Sequence, residues 1–314
     1  MAVVRRGKVE ASTAGLADTQ IRAEVDGDTI FDAASLGKPI FAYAVLQLVD
    51  AGQLTLGTRL SEWAPDYVRD DPRAQAVTVT HALSHRTGLP NWRSAEFPLR
   101  THYVPGERFS YSGEAYTWLQ IAVESIAGQR LEALVQQLVL GPLGMENSSF
   151  VWRPAFEANF AAPHDASLQV GIKRKPQHAR AAFSLHTTAV DYAHFLQAVL
   201  AGTRLRSSAA ALWLAPQIGL RRRGILALRP DTVDVDTRVA WGLGWGLEPG
   251  QDVFFQWGDS DSGRYKSFAI GSVRAQVAVV ILTNGSRGMS IVPELVEHIL
   301  PGPHPCFGWL GYER

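Results

Sequence analysis

Gly27-Asp28-Thr29-Ile30-Phe31-Asp32-Ala33-Ala34, running into Ser35-Leu36-Gly37-Lys38, is the stretch that decides how this 314-residue chain is read. The first eight residues end a short strand-like segment. After it, Phe41, Ala44, Val45, Leu48 and Val49 recur at helical spacing, and Gly52 supplies a stop signal. Ser35 is therefore expected at the start of a buried helix. Lys38 follows one turn on and shares its face, as residues three apart do. A serine hydroxyl attacks poorly without an adjacent base. A lysine can be that base when burial or a nearby cation lowers its pKa from about 10.4. Amides at a helix start also favour developing negative charge. The four residues alone equally describe a helix N-cap followed by a solvated lysine, so the weight comes from the rest of the chain.

The bulk numbers set the frame. The length suits one large or two medium domains. Apolar residues make up 46% and charged residues 19%, which is ordinary for a globular protein with a sizeable core. Lys+Arg and Asp+Glu are 30 each, so nothing electrostatic argues for nucleic acid or an anionic membrane. Cys306 is the only cysteine, which excludes an intramolecular disulfide and a cysteine-based zinc site. No apolar run is long enough to span a bilayer. Met1 to Val9 reads as strand, turn, strand and not as an export signal. A cytoplasmic protein is expected, or a periplasmic or secreted one whose signal was trimmed. Nothing sets an oligomeric state.

Taken in order, residues 1–34 read as short strands with turns at Arg6-Gly7 and Asp26-Gly27-Asp28. Residues 35–199 read mostly as helices and loops. A brief helix is expected through His81-Ala82-Leu83-Ser84-His85, with Thr80 as N-cap. Further helices are expected through Tyr116–Ile126, Leu131–Leu140 and Asp191–Ala201. From about Arg238 the period changes to two. Ala240 to Leu247 alternates bulky residues with glycine. Val253–Trp257, Tyr265–Gly271 and Gln276–Leu282 are strand candidates, and Met289–Leu300 a terminal helix. The expected fold is α+β. An antiparallel sheet from 1–34 and 200–314 is flanked by helices, 35–199 is a mostly helical insertion, and the active site lies between them.

Three stretches then fall in a known order: Ser35-Leu36-Gly37-Lys38, Tyr111-Ser112-Gly113 in a loop before a helix, and Gln256-Trp257-Gly258 on a late strand. With Leu83-Ser84-His85-Arg86-Thr87-Gly88-Leu89-Pro90, Pro105-Gly106-Glu107-Arg108-Phe109-Ser110, Pro142-Leu143-Gly144-Met145 and Phe183-Ser184-Leu185-His186-Thr187-Thr188, they cover nearly the whole chain. The chain resembles the serine β-lactamase and penicillin-binding-protein superfamily in its class C-like branch. That branch includes carboxylesterases of β-lactamase fold and D-amino-acid peptidases. The resemblance implies an acyl-enzyme on Ser35, proton transfer shared by Lys38 and Tyr111, and an oxyanion hole from the backbone amides of Ser35 and Asp259. It implies no metal and no cofactor. The substrate implied is a small ester, amide or lactam, and Gln256, Trp257, Gly258, Gly113 and Trp92 are expected near it.

The chain departs from the family pattern twice. Gly113 stands where many relatives have asparagine, and Gln256-Trp257-Gly258 where many have Lys-Thr-Gly or His-x-Gly. Both changes remove side-chain contacts to substrate and leave Ser35, Lys38 and Tyr111. A short-chain carboxylesterase is therefore expected, with a β-lactamase, a D-amino-acid peptidase or a slowly acylating sensor as alternatives. Arg264 or Lys266 are candidate replacement cations. His81 and His85 lack the glutamate of a zinc helix and are taken as structural. Gly258-Asp259-Ser260-Asp261-Ser262-Gly263 misses the Gly-x-Ser-x-Gly elbow at Ser262 and reads as an acidic turn. Phe97, Tyr103, Trp241 and Trp245 read as core, and Trp92 as a cleft wall.

Overall fold

Along three neighbouring strands every second side chain enters the same layer. Phe254, Ala269, Ala278 and Val280 join one buried cluster, while Phe255, Trp257, Phe268, Ile270 and Val279 join another. Period-two alternation with apolar residues on both faces makes a sheet covered on both sides. The computed structural model describes residues 1–229, 235–260 and 263–312, so Asp261 and Ser262 of the expected acidic turn lie outside the described residues.

In chain order the strands are β1 (Ala2–Arg5), β2 (Lys8–Ala11), β3 (Leu16–Asp18), β4 (Ala23–Glu24), β5 (Phe31–Ala34), β6 (Leu185–Thr187), β7 (Ile218–Gly219), β8 (Ala240–Trp241), β9 (Gly246–Glu248), β10 (Val253–Asp259), β11 (Lys266–Ser272) and β12 (Val277–Thr283). The α-helices are α1 (Gly37–Asp50), α2 (Val79–Leu83), α3 (Gly113–Ala127), α4 (Leu131–Val135), α5 (Ala189–Ala201), α6 (Ser207–Trp213), α7 (Val292–Ile299) and α8 (Pro305–Leu310). The main sheet runs β2-β1-β12-β11-β10-β9-β8-β7, and all its pairings are antiparallel. β1 pairs with β12, so the two ends of the chain close one sheet. β5 stands apart from it and pairs with β6. Together these make the β-lactamase/transpeptidase-like architecture.

Several elements differ from the sequence reading, each for a local reason. The 240–247 stretch is a hairpin, with the turn closed by Gly242 N–H donating to the Trp245 carbonyl at 2.8 Å. The N-cap of α2 is Thr78, not Thr80. Its hydroxyl accepts from His81 N–H, and its own N–H donates to His81 Nδ1, a capping box built with histidine. The Leu131–Leu140 helix loosens into a π-turn from Gln136. The terminal helix starts at Val292 with proline in its first turn, after a separate 3₁₀ turn at Gly288–Ser290. α6 and α8 are too short to print a period. α5, read with the helical block, packs on β12, β1 and β2 and so belongs with the sheet.

Candidate active site

Ser35 sits between β5 and α1, two residues before the first residue of the helix whose start it was expected to mark. Ala34, just before it, has φ +48°, a left-handed conformation that costs a non-glycine residue of order 1–3 kcal/mol. Its N–H donates to Asp32 Oδ1 at 3.0 Å, while Asp32 Oδ2 accepts from Arg174 Nε at 2.9 Å and Nη2 at 2.7 Å. The Asp32 carboxylate is fully buried and paired, so it holds the turn rather than solvent. The third support is Gly258 on β10. A Cβ there would run into the Ala33 carbonyl and the Ser267 hydroxyl and would lie 3.2 Å from Ser35 N. Only glycine lets β10 approach the turn this closely.

Lys38, the second residue of α1 and three residues after Ser35, is fully buried. Its Nζ lies 2.9 Å from Ser35 Oγ and 2.5 Å from the Ala182 carbonyl, and Ser35 Oγ is 3.3 Å from that same carbonyl. Burial holds the amine well below its ordinary range, and so favours the neutral form. Tyr111 is buried beside it, with Lys38 Nζ 4.8 Å above its ring. Burial raises the phenol above its ordinary value, outweighing the hydrogen bonds to Ser35 and Gln256 that lower it. Burial thus favours the neutral amine and the neutral phenol over a lysine cation beside a phenolate.

Gln256, expected at the substrate, is fully buried. Its Nε2 donates to Tyr111 Oη at 3.1 Å and to the Ser35 carbonyl at 3.2 Å. Trp257, also expected there, points into the opposite layer. It packs on Tyr111 at 5.0 Å, on Trp241 at 6.0 Å and on Trp309 of α8 at 5.7 Å. Alternation along β10 puts the two residues on opposite faces, and both hold the phenol rather than line the cleft. Asp259 ends β10, and its carboxylate is bonded to Lys266 Nζ at 2.5 Å. Arg264 faces Asp165 at 3.7 Å. Both candidate cations are thereby matched by carboxylates.

Gly113 begins α3, and a Cβ there would overlap the indole of Trp92. Trp92 is about two-fifths exposed and meets Phe183 edge-on at 5.5 Å. Its loop is pinned on both sides. Gly113 N–H donates to Asn91 Oδ1 at 2.9 Å, and Arg93 makes a fork to Glu114 at 2.9 and 2.8 Å. The Trp92 indole occupies the space an asparagine at 113 would need.

His85 is buried behind Tyr111. Its Nδ1 accepts from Ser112 N–H at 3.0 Å, and its ring lies 4.2 Å from that of Tyr111. The sequence reading missed Ala182, Asp32, Arg174 and Asn91. Asp32 could have been found from its place three residues before Ser35 in a buried strand. Ala182 acts through a carbonyl, which every residue has, so no residue type marks it. Among the described residues no cluster of His, Cys, Asp and Glu could hold a metal ion, and no helix is long and apolar enough to cross a membrane.

A serine and a buried lysine one turn apart, with a tyrosine over the amine, at the junction of an antiparallel sheet and a helical block, define a protein of the β-lactamase and penicillin-binding class. The Beta-lactamase family model matches residues 1–300, and the chain belongs to that family. It is 33% identical to the esterase EstB of Burkholderia gladioli over 52% of this chain and 48% of EstB, about half the length of that relative. It is 26% identical to penicillin-binding protein 4 of Amycolatopsis lactamdurans over 96% of this chain and 84% of that protein. Among solved structures, EstCE1, a hydrolase with promiscuous acyltransferase activity, superposes with a TM-score of 0.77 at 19% identity, over 96% of this chain and 93% of its own. The octameric penicillin-binding-protein homologue of Pyrococcus abyssi gives 0.76 at 20% identity, over 96% of this chain and 74% of its own.

Proposed function

We propose that the protein is a serine hydrolase working through an acyl-enzyme on Ser35, and that its substrates are short-chain acyl esters. The observation that carries this reading is Lys38 Nζ, buried and 2.9 Å from Ser35 Oγ. A neutral amine can take the serine proton while donating one of its own to the Ala182 carbonyl. Ser35 Oγ attacks the ester carbonyl as its proton passes to Lys38. The negative charge forms on the carbonyl oxygen, facing the amides of Ser35 and Asp259. One lost donor in such a hole typically costs about 10²–10³ in rate. The tetrahedral adduct collapses as the proton moves from Lys38 through the Tyr111 hydroxyl to the leaving alkoxide, which departs as alcohol. Water then repeats the sequence on the acyl-enzyme, its proton passing to Lys38 and on to Ser35 Oγ.

Lys38 is the better base of the two, because burial favours its neutral form and disfavours the Tyr111 phenolate. Esters are favoured over β-lactams because three contacts for a lactam are missing. Gly113 carries no side chain, Gln256 is turned inward, and Lys266 and Arg264 face carboxylates. A hydrogen bond to a charged group is worth roughly 1.5–3 kcal/mol, one to two decades in affinity. The relation to a penicillin-binding protein over nearly the full chain keeps one alternative alive, a β-lactam or D-amino-acid amide acylating Ser35 slowly.

The test is kcat/KM for p-nitrophenyl butyrate and for nitrocefin on one preparation, with Ser35→Ala as control. A higher value for the ester, lost in Ser35→Ala, supports the reading. A higher value for nitrocefin, or one stoichiometric acylation without turnover, moves the protein to the alternative.

A further inference from the structure

Behind Trp92 lies a cavity of about 440 Å³, lined by Pro90, Trp92, Phe97, Leu226 and Leu228, with Asn91 and Arg229 as its polar members. That volume is within the range of small-molecule sites. Arg229 spends its charge on Glu96, and its guanidinium stacks 5.7 Å over the Phe97 ring, so the lining stays apolar. Leu226 is more than half exposed and Trp92 about two-fifths, an unusual grouping of large apolar side chains open to water. Like a larger cavity of about 560 Å³ between Ala11, Phe31 and Leu282, this cavity is not lined by Ser35, Lys38 or Tyr111 themselves.

The smaller cavity is tied to the Tyr111 segment through hydrogen bonds of the main chain. Tyr111 N–H donates to the Ile225 carbonyl at 2.9 Å, and Ala227 N–H to Ser110 Oγ at 3.1 Å, so residues 225–227 run alongside the Tyr111 segment. On the other side Trp92 meets Phe183, the residue after the Ala182 carbonyl that holds Lys38. The Trp92 indole thus lies between the cavity lining and the segment that carries the Ala182 carbonyl.

We infer that this cavity is the seat for an apolar chain of the substrate, so that the enzyme prefers esters with a medium-length linear alkyl chain. This rests on the esterase reading and extends it from short acyl groups to longer ones. Linear alkyl carbons fit the lining. The chain can be that of the acid or that of the alcohol, and two substrate series separate these sources.

The experiment compares p-nitrophenyl esters from acetate to decanoate with butyrates of alcohols from ethanol to octanol, on wild type, Leu226→Ser and Trp92→Ala. A buried methylene contributes about 0.8 kcal/mol, so kcat/KM should climb about three- to fourfold per carbon over the first several carbons of one series. A climb in the acid series seats the acyl chain in the cavity; a climb in the alcohol series seats the alkoxy chain. Leu226→Ser should lower the ratio of octanoate to acetate turnover, or of octyl to ethyl, about tenfold. Flat series beside measurable acetate turnover, or an unchanged slope in both variants, overturns the inference. Calorimetry on Ser35→Ala gives a readout free of turnover. That protein should bind p-nitrophenyl octanoate more tightly than the acetate, or octyl butyrate more tightly than ethyl butyrate, and adding Leu226→Ser should remove the difference. Equal binding within both pairs overturns the seat, whereas absent hydrolysis with unequal binding in one pair overturns only the esterase reading.

Discussion

Gln256 Nε2 donates to the phenol oxygen of Tyr111 at 3.1 Å, from a side chain with no exposure to solvent. The third motif thus reaches the second through a hydrogen bond across the sheet edge. A lysine there would add a charge, whereas glutamine only fixes the hydroxyl. We expect Gln256→Leu to lower kcat about three- to tenfold, the net worth of a neutral hydrogen bond, while KM for the butyrate ester stays within twofold. Steady-state kinetics on the folded variant check this. A change confined to KM would return Gln256 to the substrate.

Lys38 predicts an opposition between stability and activity. Burial keeps its amine below the ordinary value of about 10.4, so the unfolded chain binds more protons between the folded and unfolded pKa values. Stability therefore rises with pH across that window, and at lower pH the fold carries a buried charge. Lys38→Met keeps the length and drops the ionisable group. It should abolish ester hydrolysis and raise Tm at neutral pH, flattening the dependence of Tm on pH. In wild type, kcat/KM should rise with pH through one ionisation well below the ordinary lysine value. A lower Tm for Lys38→Met would mean that the amine's bonds to Ser35 and Ala182 outweigh its desolvation.

How much of this was legible beforehand follows from what leaves a mark in sequence. β10, β11 and β12 each alternate two layers, so period two was visible and their bounds fell within a residue or two. That Ser35, Lys38 and Tyr111 come together was legible from the order of the family motifs that carry them. The faces were not legible. Gln256 and Trp257 alternate, but nothing in the sequence says which of them meets β5. The one-turn α2 was placed yet capped by the wrong threonine, since Thr78 and Thr80 are equivalent until His81 selects one. α8, at six residues, has no room to show a period. The Ala182 carbonyl lies 144 residues from Lys38 and only the fold brings it near.

α8 supplies a prediction about pH. Both ring nitrogens of His304 face acceptors, Nδ1 the Glu248 carboxylate at 3.0 Å and Nε2 the Leu300 carbonyl at 2.8 Å. Two acceptors call for the doubly protonated ring. Burial disfavours that charge, but the bonds to Glu248 and Leu300 outweigh it, and the pKa is raised. A raised pKa contributes stability that is whole below the unfolded value of about 6.5 and is lost as pH climbs through the folded value. Trp309 of α8 supports Trp257, which in turn supports Tyr111. The His304 contribution to Tm, read as the difference between wild type and Glu248→Gln and so separate from the opposite trend of Lys38, should therefore shrink as pH rises above the unfolded value of about 6.5. Glu248→Gln should be less stable at pH 6 and flatter above it. Parallel pH profiles for the two proteins would exclude His304 as the cause.

Gly113 and Trp92 give the last and sharpest test, because they occupy one place. A Cβ at 113 would enter the Trp92 indole, whose loop is pinned by Asn91 on Gly113 and by the Arg93–Glu114 fork. Gly113→Ala must then move either the indole or the start of α3, which follows Tyr111 by two residues. Overpacking of this kind typically costs about 1–3 kcal/mol. We expect Gly113→Ala to lower Tm and to cut kcat/KM for butyrate about tenfold or more. Trp92→Ala removes the obstruction, so the double variant should be more stable than Gly113→Ala alone, with a coupling of about 1 kcal/mol or more for residues in direct contact. Thermal melts and ester kinetics on the four proteins of the cycle read it directly. Strict additivity would show that the indole yields freely, and Trp92 would then be a loose flap over the cavity rather than its fixed wall.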